Sequence, residues 1–406
     1  KKPRAKRKTS EPKEVPDAST RKVTPNPTAQ AISPEATSDS PSELTQAPAA
    51  EAVVDQSVHI EKTLHLAGLV EPQRRRNSPW ASLNTQTIGQ ASKIVHVMIV
   101  ITKGETGGAQ SHVLALCQAL QHRVKFSVVI GGPIEESVLG RDLTTLGITV
   151  YPMPNMVESL NPAKLWPAIK KLIDLIAAFP PDIIHAHSAI AGLAARLACK
   201  STSRPVIYTV HGFGFKPEIP LLRRTASAMA ERMMARWTTH MICVSKYERE
   251  LAYSLAIAPE RIHVIANGIA CLPETAVLPT ENATVTPRLI MVARMKSPKR
   301  HDLLLQALAT VRNTLGYELP VTFAGDGPLS NALRAQAKEL KLKNITWAGD
   351  VSNVSELLTQ HEVFVLLSDH EGMPITVLEA MRAGLCILAS SLPGIREQIN
   401  AYQDGI

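Results

Sequence analysis

The residues best suited to chemistry in this sequence are two carboxylates and two cations in its C-terminal half. Glu371 and Glu379 bracket the stretch Gly372-Met373-Pro374-Ile375-Thr376-Val377-Leu378. An apolar run, 363–367, and a polar turn, Ser368-Asp369-His370, come just before it. Proline suits the first turn of a helix, where its missing N–H costs nothing, so a strand meets a helix start at residues 372–374. Free backbone N–H groups and the positive dipole end of such a start favour an anion, typically a phosphate. Carboxylates beside an anion site repel the ligand unless they face its neutral hydroxyls. That combination suits a sugar nucleotide, with phosphates to backbone and cations and hydroxyls to the acids. Taken alone, the stretch fits a solvated helix with two surface glutamates equally well. Arg294 and Lys299, after a strand expected at 288–293, supply the cations. A guanidinium grips phosphate oxygens in bidentate fashion, and an ammonium adds a point charge. Together they can neutralise a diphosphate leaving group as its negative charge grows.

These groups need strands that end at one edge. A buried-strand run at 94–100 leads into Gly104-Glu105-Thr106-Gly107-Gly108-Ala109-Gln110 and a helix expected over 111–120. Strand, glycine turn and helix open a nucleotide-binding βαβ unit. The G-x-G-x-x-G fingerprint is absent, so a dinucleotide cofactor is not implied. Adjacent Gly107 and Gly108 permit close backbone approach to a ligand, although a plain tight turn uses them too. Strand and helix patterns then alternate to residue 265, a Pro- and Thr-rich linker is expected at 271–287, and a second alternation runs from 288. Strands spaced by helices argue for parallel, doubly wound sheets, which bind ligands beyond their strands' carboxyl ends. The expected architecture is α/β: two Rossmann-like domains, 91–275 and 286–406, facing a cleft. His187 and His211 both fall at strand carboxyl ends. His211 is the better site candidate, because the glycine-rich loop after it can leave its ring free. A helical stretch at 221–238 carries Arg223, Arg224, Arg232 and Arg236 among apolar residues. Such a helix can rest on an anionic membrane or be an ordinary solvated face.

The 406 residues are 45% hydrophobic and 20% charged, ordinary for a globular protein, with a net charge of +8. Part of that charge sits in Lys1-Lys2-Pro3-Arg4-Ala5-Lys6-Arg7-Lys8, expected to be a solvated cluster without specific nucleic-acid binding. Residues 1–90, rich in Pro, Ser, Thr and Ala, read as a disordered tail with a short helix near 53–69. The five cysteines are scattered singly, with no metal-ligand spacing, and fit buried thiols in a reducing compartment. No apolar run reaches the roughly 18 residues of a membrane span.

Taken together the motifs resemble glycosyltransferase family 4, retaining sugar transferases of the GT-B fold. The resemblance runs from about residue 93 to the end. It rests on Gly107-Gly108-Ala109-Gln110, Val210-His211-Gly212-Phe213, Val244-Ser245, Asn267-Gly268-Ile269, Arg294 with Lys299, Gly325-Asp326-Gly327-Pro328, and Glu371 with Glu379. It implies that Arg294 and Lys299 hold the diphosphate, Glu371 contacts the transferred sugar, Glu379 contacts the ribose, and His211 lines the sugar pocket. Backbone at Gly107, Gly108, Gly372, Met373, Pro374 and Ile375 would close on the phosphates. It further implies front-face transfer with retention, assisted by the leaving group, and no metal or other cofactor. The Gly-Phe-Gly-Phe loop with its basic helix resembles enzymes of bacterial capsule and exopolysaccharide assembly, implying a saccharide or polyprenyl-linked saccharide acceptor at the cytoplasmic membrane face. Two departures stand out: Arg300 follows the lysine where many relatives carry glycine, and the second domain is expected to be incomplete at residue 406. The competing expectations are a silent sugar-nucleotide-binding protein and, within enzymes, a sugar-nucleotide epimerase or a phosphorylase-like member of the same broad fold.

Overall fold

The structure, a computed structural model, describes residues 94–133, 137–159, 161–270 and 286–399. The expected tail at 1–90, the helix near 53–69 and all but the end of the 271–287 linker lie outside those residues.

The first half runs β1 (Val95–Ile101), α1 (Gly108–Leu120), β2 (Val124–Gly131), α2 (Val138–Thr145), β3 (Thr149–Met153), α3 (Pro162–Ala178), β4 (Ile183–His187), α4 (Ala189–Thr202), β5 (Val206–Val210), α5 (Leu221–Met234), β6 (His240–Cys243), α6 (Lys246–Ala252) and β7 (Ile262–Val264). Its strands form one parallel sheet in the order β3-β2-β1-β4-β5-β6-β7. The second half runs β8 (Leu289–Val292), α7 (His301–Leu315), β9 (Val321–Ala324), α8 (Ser330–Glu339), β10 (Ile345–Gly349), α9 (Val354–Leu358), β11 (Val363–Leu366), α10 (Ile375–Arg382), β12 (Cys386–Ala389) and α11 (Pro393–Arg396). Its parallel sheet has the order β10-β9-β8-β11-β12. In both sheets the order reverses beside the first strand, at β1/β4 and at β8/β11, where the loops part to leave a crevice.

The apolar strand runs follow from helices covering both faces. In β1, Val97, Ile99 and Ile101 join a core on one side of the sheet, while Met98 and Val100 join the core on the other. Successive strand residues point to opposite faces, so a strand buried on both needs an unbroken apolar sequence. The helices show the complementary single stripe. In α3 the buried residues are Ala168, Ile169, Leu172 and Ile176, and the start is fixed by Pro162 and by Asn161, whose side chain accepts the Ala163 N–H at 3.0 Å. The second sheet has its own core, centred on Ile290, Phe323, Phe364 and Ile387.

Three local expectations need correction. Helix α1 begins at Gly108, not residue 111, because the Ser111 N–H already bonds the Gly107 carbonyl at 2.9 Å. First-turn N–H groups need no helical partner, so the glycine and alanine there are no obstacle. Pro374 is the N-cap, with φ −68° and ψ 124°, and α10 starts one residue later. Cys386 is exposed, and Cys199 only half-buried, whereas Cys117 and Cys243 are buried.

Candidate functional site

The carboxyl ends of the two sheets meet at one pocket of about 320 Å3. The first sheet contributes Gly107, Gly108, Ala109, His211 and Asn267. The second contributes Arg294 and Lys299 from the β8–α7 loop, Gly325 and Asp350 from the next two loops, and residues 371–376 with Glu379 from the β11–α10 segment. Every residue expected to contact the donor or the transferred sugar lines the pocket, whereas His187 is fully buried and does not. His187 lies behind the pocket and meets His211 through a ring-nitrogen hydrogen bond of 3.1 Å. The basic-helix arginines are not among the lining residues.

Two helix N-termini open into this space. The start of α1 offers backbone at Gly107, Gly108 and Ala109, and that of α10 offers backbone at Ile375 and Thr376. Unpaired N–H groups and a partial positive charge at each make the pocket attractive to a polyanion. A Cβ at Gly108 would meet nothing within 4 Å, so that position is open on its pocket side.

Each cation is held by an acid. The Lys299 ammonium pairs with the Glu371 carboxylate, both side chains largely buried. The loops that carry them are stitched together: Lys299 bridges Ser368 through the backbone, and the Asp369 N–H reaches the Pro298 carbonyl at 3.0 Å. Arg300, which follows the lysine, binds Asp302 at 2.8 Å and Asp369 at 3.0 Å and so ties the same loops from outside. Arg294 pairs across the cleft with Glu105 of the β1–α1 loop. Glu105 also faces Lys103 at 3.4 Å, and Lys103 in turn meets Glu158 at 3.2 Å. Burial raises the Glu105 pKa, but Arg294 and then Lys103 outweigh it and hold the carboxyl below its ordinary value. A phosphate approaching Arg294 meets a guanidinium whose present partner is a carboxylate on the opposite sheet.

Glu379 is different. It lies one turn into α10, on the face of Ile375 and the pocket, and burial pushes its pKa up to about 7 against a smaller lowering by Arg382. A carboxyl kept close to neutral switches between accepting and donating hydrogen bonds, which suits a hydroxyl-bearing ligand.

Several contacts at the seam were not anticipated. The Glu371-Gly372 backbone packs on the loop after β5: a Cβ on Gly372 would lie 2.0 Å from the His211 carbonyl oxygen. Asn267 donates its side-chain amide to the Met373 carbonyl at 2.7 Å. The Glu397 carboxylate accepts the N–H groups of Lys246 and Tyr247 at 2.8 and 2.9 Å, at the start of α6. Behind Glu371 lie Lys216 and Glu248, a buried pair with side chains 2% and 0% exposed. The Ser245-x-x-Glu248 spacing is a capping-box signal, and Ser245 does cap α6, accepting the Glu248 N–H at 3.2 Å. The Glu248 carboxylate, however, turns instead to Lys216 and to the Phe213 N–H, at 2.5 and 3.0 Å. Gly325, in the Gly-Asp-Gly-Pro motif, takes φ +123° with the Ala293 carbonyl 2.4 Å from where a Cβ would be, so no side chain fits between the loops there.

Residues 106–271 match the family model for Glycosyltransferase Family 4, and residues 280–406 match that for Glycosyl transferases group 1. An Escherichia coli UDP-Gal:α-D-GlcNAc-diphosphoundecaprenol α-1,3-galactosyltransferase is 28% identical over 267 residues, 61% of this chain and 67% of its own. The O-antigen biosynthesis glycosyltransferase WbnH of the same species is 26% identical over 314 residues, covering 75% of this chain and 83% of its own. The crystal structure of Anabaena Alr3699/HepE in complex with UDP and glucose superimposes with a TM-score of 0.62 at 19% identity, over 76% of this chain and 84% of that one.

Proposed function

We propose that this chain, which belongs to glycosyltransferase family 4 and folds as a GT-B enzyme of polysaccharide biosynthesis, moves a hexose with retention from a nucleoside-diphosphate sugar to a saccharide acceptor. The observation that carries this reading is the convergence of Arg294, Lys299, Glu371, Glu379 and two helix N-termini on one pocket. The diphosphate lies against Arg294, Lys299 and the starts of α1 and α10, where its growing negative charge is stabilised as the glycosidic bond breaks. Glu371, oriented by Lys299, accepts hydrogen bonds from the transferred sugar. Glu379 binds the ribose hydroxyls from inside α10, and His211 borders the sugar. The acceptor approaches from the first sheet, on the face the sugar leaves, and its proton passes to the departing phosphate.

The acceptor is a lipid-linked saccharide, a reading supported by the diphosphoundecaprenol substrate in the name of the galactosyltransferase relative. Helix α5 fits that reading. Leu222, Met229 and Met233 are exposed on one face, with Arg223, Arg232 and Arg236 exposed beside them. Arg224 is only half-exposed, and Arg236 lies over the Trp237 ring at 4.6 Å. An apolar stripe flanked by arginines is the pattern of a helix lying in an anionic membrane interface. No helix among the described residues is long and apolar enough to cross a membrane; the contact proposed here is the peripheral one through α5, at the cytoplasmic face.

The test is a panel of UDP-, GDP- and ADP-hexoses, read by thermal shift and by nucleoside-diphosphate release. One nucleotide stabilises the protein, and Lys299→Ala or Glu371→Ala lowers turnover by about 100-fold, the scale for one lost preorganised contact. Turnover near that of the parent in both variants overturns the assignment.

A further inference from the structure

The Lys216–Glu248 pair is costly to bury, and the pocket's chemistry as described so far does not use it. Both side chains come from the segment that forms the first sheet and are essentially inaccessible to water. An apolar pair would fill such a place without removing two charges from solvent. The distinguishing feature is a third partner. The Lys216 ammonium, 2.5 Å from Glu248, also donates to the backbone carbonyl of Glu371 at 2.5 Å, 155 residues away and on the other sheet. Glu248 anchors the lysine's own loop through the Phe213 N–H. Immediately beyond, Gly372 presses its backbone against the His211 carbonyl so closely that no Cβ fits. The Glu371-Gly372 peptide is therefore pinned on both sides by the loop after β5, while Lys299 grips the Glu371 carboxylate from the pocket side.

We propose that Lys216, charged and held by Glu248, is a positioning residue that seats Glu371 and the start of α10 in the pocket when the two sheets come together. It does not touch substrate; it fixes the backbone of the residue that does. A fixed carbonyl sets the direction in which the Glu371 side chain leaves the chain, and a displacement of about 1 Å at such a group can cost about 100-fold in rate. A neutral residue at 216 would fill the space without reaching across, so the charge couples docking of the sheets to the geometry of the site. This inference rests on the reading of Glu371 as a sugar contact.

Three proteins test it: Lys216→Met, Lys216→Met with Glu248→Gln, and that double variant carrying Glu371→Ala as well. The single variant leaves Glu248 buried without its cation and loses thermal stability. The double variant, with a glutamine still able to accept the Phe213 N–H, recovers most of it. Despite that recovery, nucleoside-diphosphate release from the UDP-, GDP- and ADP-hexose panel stays about 10- to 100-fold down, with nucleotide affinity within about threefold of the parent. Amide exchange at 372–376 speeds up in the double variant, a change that needs no turnover to observe. Adding Glu371→Ala takes turnover no lower than Glu371→Ala does by itself, because both changes act through one group. Parental turnover and parental exchange at 372–376 in the stable double variant overturn the proposal, as does a fully multiplicative loss in the triple variant. If Glu371→Ala alone leaves turnover intact, it is the assignment of Glu371 that fails, and the exchange measurement still decides whether Lys216 holds the segment.

Discussion

Replacing Glu379 by glutamine should stabilise this protein at alkaline pH while weakening its grip on the donor. The carboxyl is raised from an ordinary value of 4.5 to about 7, chiefly by burial. At 1.36 kcal/mol per pKa unit that elevation corresponds to roughly 3 kcal/mol. The sign follows from proton counting. Between pH 4.5 and 7 the unfolded chain has released a proton that the folded chain still holds, so stability falls as pH rises through this window. Below it both states are protonated and Glu379 contributes no penalty; above pH 7 both are ionised and the folded state carries the full cost of a buried charge. Glutamine has the same shape and no charge. Urea unfolding of parent and Glu379→Gln at pH 5 and pH 8 should show a gain under about 1 kcal/mol at pH 5 and roughly 3 kcal/mol at pH 8. Nucleotide binding should move the other way. The ionised carboxylate is the stronger acceptor for hydroxyls, so parental affinity rises through pH 7, and the variant binds about tenfold more weakly at pH 8. A gain of the same size at both pH values would refute the reasoning, since it would show that charge burial is not what Glu379 costs. The pH-dependent gain together with the weaker binding would make the retained acid an instance of stability given up for binding.

Gly372→Ala should lower stability by about 1–3 kcal/mol, the range for overpacking a filled site, and cut turnover at least tenfold. The added methyl would meet the His211 carbonyl oxygen, a backbone atom that cannot swing aside; denaturation and nucleoside-diphosphate release measure the two effects. Leu222→Glu with Met229→Glu should abolish sedimentation with phosphatidylglycerol vesicles and leave turnover on a soluble acceptor unchanged, because both side chains point away from the core. Loss of activity on the soluble acceptor would show that this face has another task.

The sequence carried the architecture because parallel sheets covered on both faces leave a strong local mark. Residues 94–100, apolar but for His96, and the unbroken apolar run 363–367 carry that mark, and each reads as a strand from it. Once strands were placed, the topology of such sheets put the residue after each strand at the ligand edge, so Arg294, His211 and Glu371 could be grouped before any coordinates. Helix starts were less exact. Gly108 and Pro374 are poor helix formers, and only the hydrogen bonds decided that one opens α1 and the other caps α10.

What the sequence left open was partnership. Arg294 with Glu105 and Lys216 with the Glu371 carbonyl join residues 189 and 155 positions apart on different sheets. Periodicity and turn chemistry describe neighbours along the chain, and neither says which acid will face which cation across a cleft. Nothing local marks Lys216, a polar residue after a glycine-rich loop, or Glu248, at capping-box spacing from Ser245, as partners of this site. The fate of Glu379 was likewise undecided, since a glutamate between Leu378 and Ala380 can face water or a pocket. Packing settled both: in the folded chain Lys216 and Glu248 are withdrawn from solvent and Glu379 sits half-buried at the pocket, and burial of this kind is what gives such charges their strength.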